Sequence, residues 1–63
     1  MNCLFARNPK QLDICLRLLY AERMEFELQV CENEKKKIFY RISVLSTEER
    51  YLAVKEMYRV MIS

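Results

Sequence analysis

Two stretches of the chain alternate between apolar and polar residues, and two others place apolar residues every three or four positions. Met24, Phe26, Leu28 and Val30 fall on one side of a period-two pattern whose other side is Glu25, Glu27 and Gln29. That alternation is the mark of a half-buried strand. A second such run puts Ile38, Tyr40, Ile42 and Val44 on one face and Phe39, Arg41, Ser43 and Leu45 on the other. Joined antiparallel through Asn33, Glu34 and Lys35, the two strands bring Val30 opposite Ile38, Leu28 opposite Tyr40 and Phe26 opposite Ile42, so that their apolar faces coincide. The same register sets Glu27 across from Arg41. No glycine occurs in the chain, which leaves Asn33 as the residue best able to take positive φ in this turn.

The helical patterns come before and after the hairpin. In "NPKQ", Asn8 is placed to cap a helix, Pro9 suits its first position, and Gln11 can reach back to complete a capping box. Leu12, Cys15, Leu16 and Leu19 then share one face, and the helix is expected to run to about Arg23. The short segment "CLFA" ahead of it reads as a strand. After the hairpin, Ser46 or Thr47 can cap a second helix, with Glu49 completing a box to Ser46 and an acidic first turn favoured by the helix dipole. Ala53, Val54, Met57, Tyr58 and Met61 form its expected buried face.

The element order is therefore strand, helix, strand, strand, helix, within a single domain spanning residues 1–63 and without linker or repeat. Phe39 and Leu45 face away from the helices on the third strand, as suits a central strand, so that strand belongs between the first and second. The expectation is an α+β fold with a three-stranded, antiparallel-containing sheet and two helices on one face, a ferredoxin-like arrangement lacking its fourth strand. On "NPKQ", the Leu-rich helix, the hairpin and this order, the chain resembles a family of small bacterial signal-transducing modules. That family usually turns with a glycine after the first helix, where this sequence reads "ERME". The resemblance carries over no ligand-binding residue.

Composition narrows the chemistry. With 63 residues, a domain is short of core and gains from a disulfide, a metal or a partner chain. Cys3, Cys15 and Cys31 are too few and too widely spaced for a disulfide framework, and with no histidine they lack the ligands of a zinc site. Reduced thiols in a cytoplasmic protein, without metal or cofactor, are the expectation. "MNCLFARNPK" has too short an apolar stretch for a signal peptide, and no run is long enough to cross a bilayer, so no membrane partner is expected. Acid–base catalysis would fall to groups such as Glu25 and Glu27, which lie on an open strand face with Arg41 as the expected partner, and no glycine-rich phosphate loop can form. Cys31 near the lysines lacks an orienting base. The chain reads as non-enzymatic.

Lys35, Lys36 and Lys37 pose the main alternative. "KKKIFYR" is similar to the central strand of RNA-binding sheets, whose exposed aromatics stack bases. A nucleic-acid surface would use Lys35, Lys36, Lys37, Phe39 and Arg41. In the expected register, however, only Phe39 faces outward, Glu25 and Glu27 lie beside it, and Glu32 and Glu34 flank the lysines, an arrangement that repels phosphates. The net charge is only +2. Lysines at a hairpin tip more often keep strand edges soluble, and nucleic acid ranks second as a partner. The leading expectation is a protein-interaction module that forms a homodimer and binds a further protein. Its interface is assigned to Ile14, Leu18 and Ala21, a second apolar stripe on the first helix, and to Leu52, with two open sheet edges adding to the drive for association.

Overall fold

A computed structural model describes residues 2–63 and shows the expected element order. Strand β1 (Cys3–Ala6) leads into helix α1 (Pro9–Ala21), followed by β2 (Glu25–Glu32), β3 (Ile38–Leu45) and helix α2 (Glu48–Ile62). The three strands form one antiparallel sheet in the order β1-β3-β2, with β3 central. The fold is α+β and matches a ferredoxin-like sheet without its fourth strand. No helix among the described residues is long and apolar enough to cross a membrane.

Local sequence accounts for both ends of α1. Asn8 Oδ1 accepts the Gln11 N–H at 2.8 Å, and Gln11 Oε1 accepts the Arg7 N–H at 2.9 Å, one residue ahead of the cap. At the other end, the Met24 N–H bonds Leu19 O at 2.9 Å and the Arg23 N–H bonds Tyr20 O at 3.1 Å. This pair is the Schellman closure, which needs a left-handed residue between helix and strand. Arg23 supplies it with φ 54°. Buried Met24 and Leu19 provide the apolar contact that accompanies such a closure. The Arg50 guanidinium donates to Glu22 O, tying the start of α2 to the same corner.

The hairpin differs from its expected register by two residues. Val30 pairs with Tyr40, Leu28 with Ile42 and Phe26 with Val44, while Glu27 lies opposite Ser43 and Gln29 opposite Arg41. The cause is a turn centred one residue later, over Glu34, Lys35 and Lys36. Asn33 N–H bonds Lys37 O at 3.0 Å, and Lys36 N–H returns to Asn33 O at 2.9 Å. Asn33 Oδ1 also accepts the Lys35 and Lys37 N–H groups at 2.9 and 3.0 Å. Asn33 thus acts as a side-chain acceptor, and Lys36 takes the left-handed position with φ 60°. This is a type I turn followed by a bulge residue. A shift of two keeps every side chain on its own face, so the apolar pattern survives.

Leu4, Ala6, Ile42 and Val44 from the sheet form the core with Cys15 and Leu19 of α1, Met24, and Tyr51, Val54 and Tyr58 of α2. Both helices cover this one face. The α2 contribution corrects the expected stripe: Val54 and Tyr58 are buried, but Tyr51 joins them and Ala53, Met57 and Met61 are exposed. Thr47, not Ser46, caps the helix, its Oγ1 accepting the Arg50 N–H.

Candidate functional site

The alternation of an antiparallel ladder decides which backbone groups reach each edge of the sheet. Asn2 O accepts the Val44 N–H at 2.8 Å. Asn2, Leu4 and Ala6 therefore bond toward β3, while Cys3 and Phe5 turn their carbonyls outward. There α2 meets them. Tyr51 Oη donates to Cys3 O at 2.8 Å, and Tyr58 Oη donates to Phe5 O at 2.7 Å. Two helical turns separate the tyrosines, so both hydroxyls descend on the same strand edge. Burial pushes the Tyr58 phenol up to about 12, which holds it in the donor form. Both β1 and β2 are edge strands, as expected, but on β1 two outward carbonyls already hold hydroxyl donors from α2.

The β2 edge is built the other way. The Asn33–Lys37 closure starts the ladder on odd positions, so Cys31, Gln29 and Glu27 bond toward β3, and Phe26, Leu28 and Val30 present their N–H and C=O groups outward. Among the described residues no strand flanks β2 on this side. The helices also stop short of it: Leu28 is 45 % exposed, Val30 61 % and, on neighbouring β3, Ile38 48 %. Tyr20 of α1 reaches only the near end, edge-on to Phe26 with centroids 5.5 Å apart.

The helix-free face of the sheet gathers a different set. Phe5 on β1 and Phe39 on β3 lie with ring centroids 6.4 Å apart at 45°. Phe5 is 54 % exposed, which corrects the expectation that Phe39 alone faces outward. Arg41 pairs directly with Phe5 across the strands. Its guanidinium and the Ser43 hydroxyl hold the Cys3 thiol below the ordinary thiol range through hydrogen bonds. Burial instead pushes the Cys15 thiol up to about 11. Cys31, the thiol considered from sequence, lies on the same open face at the far strand, and all three cysteines are free.

Of the residues assigned to an interface, Ile14 and Leu18 pack against the core from its margin, while Ala21 and Leu52 are exposed. Among the candidate nucleic-acid residues, Lys35 and Lys36 sit at the exposed hairpin tip, and Lys37 lines a cleft with Phe5, Arg7 and Phe39. Phe5, the outward carbonyls and the tyrosine caps were missed in the sequence. Their signal was the spacing of Tyr51, Val54 and Tyr58 on one helical face, read with a first strand that lacked an outer neighbour. No family model matches the chain, and no curated protein or solved structure matches it.

Proposed function

We propose that this protein is a small, non-enzymatic interaction module that self-associates by pairing β2 with β2 of a second copy. The observation that carries this reading is the asymmetry of the edges: one is closed by hydroxyl donors, and the other presents a continuous ladder beside exposed Leu28 and Val30. Proline, bulges and inward charges commonly protect an edge. From Phe26 to Val30 the strand has none of them, and its register with β3 is unbroken.

The strand is also complementary to itself. A two-fold axis through Leu28 pairs Leu28 with its counterpart and Phe26 with Val30 of the second copy, all on the helix side. On the opposite face Glu27 meets Gln29, and Glu25 meets Cys31. No like charges face each other directly, as they would if the two strands ran parallel in register and set each glutamate beside its twin. The result is a six-stranded sheet with the exposed apolar residues of both copies brought together, a form of strand addition. The lack of histidine and of a phosphate loop supports a non-enzymatic role.

Sedimentation velocity at micromolar concentration tests the reading. The wild type is expected to run as a dimer, and Leu28→Lys as a folded monomer with unchanged far-UV circular dichroism. A wild type that stays monomeric, or a Leu28→Lys variant that still dimerises, overturns it. Leu18→Glu would be a poorer probe, because Leu18 packs against the core.

A further inference from the structure

We infer that the open face of the sheet binds single-stranded nucleic acid, with Phe5 and Phe39 as adjacent base-stacking platforms and Arg7, Lys37 and Arg41 as phosphate contacts. This inference does not depend on self-association, which uses a different edge of the molecule. Two arguments held against nucleic acid in the sequence rested on geometry that the structure replaces. Phe39 is not a lone outward aromatic, since Phe5 stands 6.4 Å from it on the neighbouring strand. Glu25 and Glu27 do not lie beside Phe39, since the register pairs Phe39 with Cys31 and Arg41 with the neutral Gln29 and moves the two glutamates to Leu45 and Ser43.

Acidic residues stand at both ends of the face, and at the tip Glu32 and Glu34 share a cleft with Lys35, Lys37 and Phe39. Glu25 and Glu27 occupy the rows of Leu45 and Ser43, toward one end. Phe5 shares the next row with Arg41, and Phe39 lies beyond it toward the hairpin tip. A cleft of about 500 Å³ is lined there by Phe5, Arg7, Asn33, Lys37 and Phe39. Exposed aromatic rings on adjacent strands accept successive unstacked bases through their π-faces, and flanking cations follow the backbone. Asn33 spends its side-chain oxygen on the turn, so it fixes the cleft wall. A stacking platform with few hydrogen-bonding side chains is tolerant of base identity. Duplexes are excluded because their bases are already stacked.

Fluorescence anisotropy with labelled eight-nucleotide oligo-dT and oligo-U, and with a duplex of equal length, tests the inference at low salt. Both single strands are expected to bind and the duplex to bind at least tenfold more weakly. Phe5→Ala and Phe39→Ala should each weaken binding by about tenfold. Phe5→Leu and Phe39→Leu, which keep the apolar volume, should behave like the alanine variants. Contact by three cations gives a slope of about −2 in log affinity against log salt. Lys36→Gln, at the tip outside the cleft, should bind nearly as well as wild type. Absence of binding by both single strands overturns the inference. So does equal affinity for the duplex, or a loss confined to the tip variant while the phenylalanine variants bind normally, since either outcome reduces the interaction to diffuse charge.

Discussion

Along β1, the outward carbonyls of Cys3 and Phe5 accept hydrogen bonds from Tyr51 and Tyr58, whereas along β2 the outward groups of Phe26, Leu28 and Val30 meet no neighbouring strand among the described residues. The difference begins with length and connection. β1 spans four residues and β2 spans eight. A single helix can reach two carbonyls with side chains two turns apart, but it cannot satisfy an edge that extends past its own end. The short edge is therefore closed within the chain, and the long edge is left for another strand. Tyrosine suits the closed edge because its ring fills the core while its hydroxyl reaches a polar group.

The largest expected effect comes from breaking the closed edge. Tyr51→Phe/Tyr58→Phe leaves two carbonyls without donors and should lower stability by about 2–4 kcal/mol, at about 1–2 kcal/mol for each bond. A chain of 63 residues has only about 3–9 kcal/mol in total. Urea unfolding measures the loss. If the two edges differ only by these hydroxyls, the double variant should also form oligomers larger than dimers, because both edges then invite pairing.

Alkaline titration probes the same cap without mutation. Tyr58 is pushed up to about 12 and Cys15 up to about 11 by burial, above their unfolded values of roughly 10 and 8.5. Both groups are held neutral in the folded state, which retains protons that the unfolded chain loses. Stability is fully present below about pH 8.5 and should fall progressively as pH rises toward 12. Tyr58→Phe should flatten the part of this decline between about pH 10 and 12, as read by thermal midpoints across the range.

The open edge is broken by charge. Leu28→Lys places an ammonium on the proposed two-fold axis beside its own copy, and should raise the dimer dissociation constant by at least about tenfold, or 1.4 kcal/mol. Smaller gains should come from the left-handed residues at the two ends of β2. Arg23→Gly and Lys36→Gly each relieve a positive φ and should raise stability by about 0.5–1 kcal/mol, because relief of the left-handed cost exceeds the added freedom of the unfolded chain. Smallest of all, exchanging Lys35 and Lys36 for Gln should change stability by less than about 0.5 kcal/mol.

The elements and the faces of the strands were legible because burial on one side imposes a period that side chains cannot hide. The central position of β3 followed from Phe39 and Leu45. The register was not legible to the residue, since a turn without glycine can close in more than one way. Asn33 chose the later closure by accepting two backbone N–H groups, and a shift of two in the pairing leaves the hydrophobic pattern unchanged. The face of α2 was misread for a related reason. The expected stripe joins Val54 and Tyr58 to Ala53, Met57 and Met61, whereas the buried face joins them to Tyr51, and apolarity alone favours the first. The edge carbonyls of β1 favour the second, and that preference exists only once the sheet is assembled. Phe5 was overlooked on so short a strand, although its alternation with Leu4 and Ala6 already placed it on the open face.

The most direct test of the edge asymmetry is amide hydrogen exchange followed by NMR at two protein concentrations, one below and one above the dimer dissociation constant. The outward amides of Phe26, Leu28 and Val30 are predicted to exchange quickly in the dilute sample and to become protected in the concentrated one, while the inward amides of Glu27, Gln29 and Cys31 are protected in both. Outward β2 amides that stay unprotected in a sample shown to be dimeric would contradict pairing along this edge.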